Sequence, residues 1–399
     1  MKKLTLIILV IILLSACAPK PRTLTPSIEL STITSQPPTP TKDVVLTYAP
    51  EGNDSRCEEI RQSDLDLIGS GYLLLWRNTP EYILTNMDSK ETKKIPNIWS
   101  VFASPNKSAI AYLNSYLDPK LVIVDEGGIK EYTLPNVTPT ITWINDHTIR
   151  LYENLDNLDT YALLLDINTG EIARLETNFP DFYMYPDEVN RYWSIPAFDS
   201  ALTYAVYPSY IYDTEYLGNT LIRLNDKKIL GLFSTDIRVA PVWSPSGESF
   251  LLPYSNNDVI ELYRIFAEDQ DVIALTNFHS TSPNFLLNSY VWSPDGSKIA
   301  AWFLEDHESS LYKSLILIDL SNNNRVILTC IQSTQSIGDL QDKIIWSPDS
   351  SQLIAQVKID ADSKVKLVLL DIPRLEYDLL DTKESSFPVG WLSFEPVIP

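Results

Sequence analysis

Short runs of apolar residues that end in a polar turn recur along most of the 399-residue chain. Such runs, four or five residues long and bounded by turn residues, are typical of β-strands buried on both faces. A buried helix would need a longer apolar segment. The pattern therefore predicts an all-β protein of short strands. Four of the runs stop at an aspartate: Leu-Val-Ile-Val-Asp at 121–125, Ala-Leu-Leu-Leu-Asp at 162–166, Leu-Ile-Leu-Ile-Asp at 315–319 and Leu-Val-Leu-Leu-Asp at 367–371.

A Trp-Ser-Pro turn precedes an apolar strand in three places, beginning at Trp243, Trp292 and Trp346. Proline presets the φ angle of the turn, and Asp or Gly tolerates the bent backbone that follows. Weaker copies are Ser104-Pro105, where Ala103 replaces the tryptophan, a copy from Trp143 that is one residue short, and a longer copy from Trp193 to 199. With Trp391, the tryptophans recur about every 50 residues, a period typical of repeat architectures.

Each repeat has room for four short antiparallel strands, which is the composition of a β-propeller blade. The repeat resembles the TolB-type, WD40-like propeller repeat over roughly residues 65–399, and this resemblance implies a propeller of stacked blades. Strands expected at 71–76, 82–85 and 93–95 form a first blade without its first strand, and 390–394 is a first strand without a blade. Pairing the two closes the ring. We therefore predict seven blades, with six or eight as alternatives.

The N-terminus has the form of a secretory signal, with Lys2-Lys3 followed by an apolar run from 4 to 14. Leu-Ser-Ala-Cys at 14–17 resembles the bacterial lipobox, which implies cleavage before Cys17 and lipid attachment to it. We predict a signal peptide at 1–16 and a Pro/Thr/Ser-rich tether at 17–56, because that composition cannot bury a core. The propeller domain is predicted at 57–399. These features predict an extracytoplasmic protein that is lipid-anchored at the cell envelope, in either the outer or the plasma membrane.

The net charge narrows the possible partners, and the cysteine content leaves one disulfide open. A net charge of −21 excludes nucleic acid as a partner of the folded domain, since phosphate binding needs clustered Lys and Arg. Outside the cytoplasm Cys57 and Cys330 could form a disulfide, although two buried free thiols are equally compatible with the sequence.

The sequence carries no recognised catalytic motif. Its three histidines, His147, His279 and His307, lie far apart, and the aspartates of the Trp-Ser-Pro turns each offer one carboxylate where calcium needs six or more oxygens. We therefore predict no catalytic residue, no cofactor and no metal site.

In an antiparallel blade the loops between the second and third strands, and those between blades, share one face of the disc. The segments 176–192, 207–219, 278–290, 305–313 and 331–343 are predicted as such loops, and the first two are rich in tyrosine and acidic residues. Exposed tyrosines favour protein interfaces and stack on sugars, although local burial is the alternative. The candidate binding face comprises Tyr183, Tyr185, Asp187, Tyr207, Tyr210, Tyr212, Asp213 and Tyr216.

These features predict a protein-binding or scaffold module of the cell envelope, with an envelope or extracellular protein as the partner. One alternative is a module that binds cell-wall glycan through the tyrosine loops. Another is an enzyme that acts on a polysaccharide with channel carboxylates. Blade motifs build the fold and do not identify the ligand.

Overall fold

A computed structural model describes the chain from residue 60 to residue 397 with gaps. Every described residue belongs to one compact unit of the chain. No helix in the described ranges has the length and apolar character needed to cross a membrane. The predicted signal peptide and tether lie outside these ranges, which are 60–63, 69–77, 81–96, 98–114, 120–134, 137–153, 161–176, 196–211, 215–233, 241–256, 259–276, 285–307, 310–322, 324–334, 343–357, 365–380 and 386–397.

The described residues form 29 β-strands. The first half of the chain contains β1 (Arg61–Gln62), β2 (Tyr72–Arg77), β3 (Glu81–Asn86), β4 (Thr92–Pro96), β5 (Trp99–Ala103), β6 (Ala109–Leu113), β7 (Lys120–Asp125), β8 (Gly128–Thr133), β9 (Val137–Trp143), β10 (Thr148–Glu153), β11 (Tyr161–Asp166), β12 (Ile172–Glu176), β13 (Ala197–Phe198) and β14 (Tyr204–Ile211). The second half contains β15 (Glu215–Arg223), β16 (Lys228–Phe233), β17 (Val242–Trp243), β18 (Ser249–Asn256), β19 (Val259–Phe266), β20 (Val272–Ala274), β21 (Phe285–Trp292), β22 (Lys298–His307), β23 (Ser310–Asp319), β24 (Arg325–Thr334), β25 (Ile344–Trp346), β26 (Gln352–Val357), β27 (Lys366–Asp371), β28 (Glu376–Leu380) and β29 (Ser386–Leu392).

Within the described ranges these strands form seven sheets, and each sheet is one blade of a ring. Blade 1 has the order β29-β2-β3-β4, and blades 2 to 7 each take four consecutive strands, from β5–β8 in blade 2 to β25–β28 in blade 7. The first strand of each blade is innermost, and neighbouring inner strands contact each other, as β29 does with β5 and β25 does with β29. The predicted seven-bladed β-propeller is confirmed.

The ring closes where the prediction placed the closure, between the C-terminal strand and the first blade. Strand β29 pairs antiparallel with β2, and Trp391 lies opposite Leu73. Gly71, at the start of β2, has a φ angle of 83°, and a Cβ atom there would collide with the carbonyl oxygen of Leu392. A glycine is therefore required at this close approach of the two chain ends.

Strand β1 adds a further tie between the first and last blades. It pairs parallel with β28, the outer strand of blade 7. The Arg61 and Ser63 amides donate to the carbonyls of Leu375 and Tyr377 at 3.1 and 2.8 Å, and the Arg61 guanidinium contacts Glu376 at 2.7 Å. Blade 7 thus has a fifth strand that comes from the chain segment before blade 1.

The middle strands of the blades form the core. Every residue of β6 and β26 is buried, as are the four central residues of β7 and of β27. Apolar clusters join neighbouring blades, since Leu113 of blade 2 packs in one cluster with Ile149 and Leu163 of blade 3. Each fully buried aliphatic side chain contributes about 1.5–3 kcal/mol, so the stability of a blade depends on the blades beside it.

The repeated tryptophan joins consecutive inner strands. The indole N–H of Trp143, Trp243 and Trp292 donates to a carbonyl of the preceding blade at 3.0, 2.9 and 3.1 Å, on Phe102, Ala197 and Val242 respectively. In blade 4 this position belongs to Phe198, which pairs with Ala205 as Trp243 pairs with Phe250. The alignment of Trp193 with the repeat was therefore wrong: Trp193 lies outside the described residues, five positions before the residue that fills its place.

The serine of the turn connects the first and second strands of a blade. The Ser293 hydroxyl accepts from the Lys298 amide at 2.9 Å and donates to Asp295 at 2.6 Å, and Ser347 makes the same pair of bonds with Gln352 and Asp349. Partial burial alone would raise the pKa of each aspartate. The hydrogen bonds from serine hydroxyls and amides outweigh this effect, and the net result is a lowered pKa for both Asp295 and Asp349. In these turns the aspartates organise the backbone, as predicted.

Candidate functional site

The predicted tyrosine-rich face falls mostly outside the described residues. Tyr183, Tyr185, Asp187, Tyr212 and Asp213 all lie outside them. Tyr210 and Tyr216 lie in β14 and β15, where they are register partners across the hairpin. The structure thus brings these two residues together along the backbone, and the binding role of the face stays a prediction.

Tyr207 does not belong to an exposed face. Its side chain is 1% exposed and packs with Phe198, Ala205 and Ile222 inside blade 4. Burial raises the pKa of its hydroxyl, and the positive charge of Arg150 lowers it in part. The local-packing alternative therefore applies to this tyrosine.

Several predicted loops are strands in the structure. All of 207–219 except 212–214 belongs to the β14–β15 hairpin, and all of 305–313 except 308–309 belongs to the β22–β23 hairpin. Strands β21 and β24 take up 285–290 and 331–334. The polar residues in these segments suggested loops, but alternating positions of long strands projecting beyond the core carry polar residues as well.

The inner strands of the described residues enclose a central channel of the ring. It has a volume of about 780 Å³ and is lined by the inner strands of all seven blades, including Val101, Ile141, Ala197, Val291 and Val389. The lining extends past the C-terminal end of some of these strands, as at Lys107, and before the N-terminal end of others, as at Lys343. A ligand in the channel would therefore contact every blade.

Hydrogen bonds between successive turns stiffen one mouth of this channel. The Asp146 carboxylate of blade 3 accepts from the Asn106 amide of blade 2 at 2.9 Å. The Asn145 side-chain amide donates to the Ser200 carbonyl of blade 4 at 2.6 Å, and the Asp295 amide donates to Ser350 between blades 6 and 7 at 3.1 Å. Three of the blade junctions at this mouth are thus linked from turn to turn.

The charged residues that line the channel are mainly cationic. Among the described lining residues they are Lys107, Arg150 and Lys343 on the positive side and Asp146 on the negative side. The whole chain has the opposite balance, with 31 Lys and Arg against 52 Asp and Glu. The channel is thus a locally positive region of a strongly acidic protein.

Arg150 is held in the wall of the channel between blades 3 and 4. It lies in β10 and is 3% exposed. Its Nη1 donates to the Pro196 carbonyl, and its Cζ lies 5.4 Å from the centroid of the Phe198 ring. Burial lowers the pKa of the guanidinium, which nevertheless stays protonated at neutral pH because an arginine starts from so high a value.

Lys107 and Lys343 stand at opposite ends of inner strands. Lys107 is in the turn after β5, and burial lowers its pKa to about 8, against the raising effect of Asp146. Lys343 immediately precedes β25 and is solvent-accessible, yet the surrounding protein removes enough water to lower its pKa. Both amines carry a positive charge that their surroundings stabilise poorly.

The other predicted chemistry is mostly untested. Cys17 and Cys57 lie outside the described residues and Cys330 lies in β24, so the disulfide stays a prediction. His147 is exposed in the short turn of blade 3, where its amide donates to Asn145 at 2.9 Å. In the described ranges no group of three or more His, Cys, Asp or Glu side chains is placed to hold a metal ion.

The channel residues Lys107, Arg150 and Lys343 were not among the candidates taken from the sequence. Lys107 occupies the glycine position of a turn, and its φ angle of 64° is close to the 75° and 70° of Gly247 and Gly296. The lysine at this glycine position is visible in the sequence and could have marked Lys107 as a candidate. That all three cations meet in one channel follows from the closed ring and not from the motif around any one of them.

Comparison with solved structures supports a propeller fold. The chain matches the acylaminoacyl peptidase of Pyrococcus horikoshii with a TM-score of 0.51 and 16% identity, over 78% of this chain and 50% of the peptidase. It matches an oligogalacturonate lyase of Vibrio parahaemolyticus with a TM-score of 0.50 and 10% identity, over 78% and 86% of the two chains. TolB from Acinetobacter baumannii is also similar, with a TM-score of 0.42, 13% identity and coverage of 82% and 89%.

No protein-family model matches the chain, and a search of curated proteins finds no match. At these identities the structural likeness concerns the fold alone. The chain is a β-propeller module, and its role has to be argued from its own residues.

Proposed function

We propose that this protein is a lipid-anchored binding module of the cell envelope and that its central channel is the ligand site. The observation that carries the proposal is the channel of about 780 Å³ lined by all seven inner strands. This volume lies within the usual range for ligand sites, about 300–1,000 Å³. Segments from seven blades offer convergent contacts that no single blade could provide. The partner expected from the sequence is an envelope or extracellular protein, a segment of which enters the channel.

Filling the channel should abolish binding. Thr142 is an exposed residue of β9 that lines the channel, so Thr142→Trp places an indole in the open volume without displacing a core side chain. In affinity capture from envelope extract with the full-length chain, the wild type is expected to retain a partner that Thr142→Trp loses. Thr133→Trp, at an exposed position of the outer strand β8, is the matched control and should retain it. Equal retention by both variants would place binding outside the channel, and retention of cell-wall polymer alone would favour the glycan alternative.

The proposed anchor is tested by Cys17→Ser. Without a thiol at this position no acyl chain can be attached, so the variant is expected to move from the membrane fraction to the soluble fraction of the producing cells. Fractionation followed by immunoblotting measures the change, and Cys330→Ser is the control. An unchanged membrane fraction for Cys17→Ser would contradict lipid anchoring.

A further inference from the structure

The sign of the charge in the channel is opposite to that of the whole protein. Three of the four charged residues described in the lining are cations, although acidic residues outnumber basic ones by 52 to 31 in the chain. A concave site with low-dielectric walls concentrates the field of the charges that line it. The acidic exterior would repel anions. The positive lining would attract them, so the channel is the place where an anion would bind.

We propose that the central channel binds a ligand that carries at least two carboxylate or phosphate groups, with Lys107 and Lys343 as the residues that contact them. This inference rests on the proposed role of the channel as the ligand site and specifies the chemistry of its ligand. It is independent of whether the ligand belongs to a protein partner or is a free molecule.

The positions of the two lysines favour a ligand with separated anionic groups. Lys107 follows the inner strand β5, and Lys343 precedes the inner strand β25. Because all inner strands run in the same direction through the ring, the two lysines lie toward opposite ends of the channel. The three residues of β25 with their flanking positions span roughly 10–13 Å at the usual rise of a strand. An extended polyanion can contact lysines near both ends of the channel at once. An acidic peptide segment has this form, and so does a short polyphosphate.

Arg150 contributes a fixed positive charge. The Pro196 carbonyl and the Phe198 ring hold its guanidinium in the wall, so it supports the field of the channel without having to move. The only carboxylate in the described lining, Asp146, already accepts a hydrogen bond from the Asn106 amide.

The backbone of Lys107 provides a variant that separates binding from folding. At a φ angle of 64° a lysine is strained where glycine is not, by about 1 kcal/mol. Leu202 and Ser350 adopt similar angles in the turns of blades 4 and 7, so the turn tolerates this strain. Lys107→Gly removes the amine and relaxes the turn, and thermal unfolding of this variant separates a loss of binding from a loss of folding.

The test is calorimetric titration of the full-length chain with two probes, hexaglutamate peptide and tripolyphosphate, at low ionic strength. We expect at least one probe to bind the wild type and the combined variant Lys107→Gly and Lys343→Gln to bind it at least about tenfold more weakly, since each charge-assisted contact contributes substantially. The control variant, Lys93→Gln and Lys228→Gln, removes two exposed cations from the outer strands β4 and β16 and should bind as the wild type does. Binding should weaken with added salt, and thermal unfolding should show Lys107→Gly to be no less stable than the wild type.

Binding of the peptide alone identifies an acidic segment as the ligand type, and binding of tripolyphosphate alone identifies a phosphate ligand. If neither probe binds, or if the combined variant binds as tightly as the control, the inference is overturned. A partner lost by Thr142→Trp in the absence of any anion binding would leave the channel as the ligand site and overturn only its proposed chemistry. Anion binding without a captured partner would support the inference and count against a protein as the partner.

Discussion

Replacing Trp391 with alanine is expected to lower the free energy of unfolding by about 3–5 kcal/mol, the usual cost of truncating a fully buried aromatic side chain. The indole is fully buried and packs with Leu73, Ile345 and Ile354 from blades 1 and 7. Its N–H also donates to the Ser70 carbonyl at 2.7 Å. Within blades 2 to 7 the four strands follow one another along the chain, whereas β29 joins β2 only through side chains and hydrogen bonds.

Urea denaturation of the full-length chain measures this loss. Trp243→Ala is the matched control, because Trp243 has the same position in the repeat of blade 5 but is only partly buried and lies away from the closure. Its loss is expected to be smaller, about 1–3 kcal/mol. If the two variants lose equal stability, the closure of the ring is not a special point of weakness.

Replacing Arg150 with alanine is expected to cost a similar amount, about 3–5 kcal/mol. The change leaves a cavity between blades 3 and 4 and removes the donor to the buried Pro196 carbonyl, and each of these effects is destabilising. Arg150→Met preserves most of the volume and removes only the charge and the hydrogen bonds. We therefore expect it to be intermediate, at about 1–3 kcal/mol below the wild type.

The urea unfolding midpoints of the wild type, Arg150→Met and Arg150→Ala are compared. Their order shows whether packing or hydrogen bonding makes the larger contribution of Arg150 to stability. A methionine variant as stable as the wild type would show that the guanidinium does not contribute to stability. This outcome is known for some buried charges that are replaced by apolar side chains of similar size. It would strengthen the case that Arg150 is present for its charge.

The sequence was sufficient to predict the fold because the information is local and repeated. The Trp-Ser-Pro turn fixes the first two strands of a blade, and the apolar run that ends in Asp fixes the third. The incomplete strand sets at 71–95 and 390–394 could only complement each other. The error at Trp193 arose where Phe198 replaces the tryptophan and Asp199 replaces the turn serine, accepting from the Tyr204 amide at 2.6 Å. In that blade the backbone geometry was kept with different residues.

The candidate site could not be predicted in the same way. Lys107 and Lys343 are 236 positions apart, and only closure of the ring brings them to one channel. Composition pointed to the tyrosine-rich segments, but Tyr207 is a core residue because Ile144 and Leu175 of blade 3 pack against its cluster in blade 4. Local composition does not determine which face of a strand is covered by a neighbouring blade.

The pairing of β1 with β28 has a mechanical consequence under the proposed anchoring of the chain at its N-terminus. A load applied to the chain before Ile60 reaches the two backbone hydrogen bonds and the Arg61–Glu376 ion pair before it reaches β2. That short attachment can detach and release slack while β29 and β2 remain paired. Under the proposed anchoring, the ring would be protected from traction at the N-terminus by a small contact that yields first and can form again.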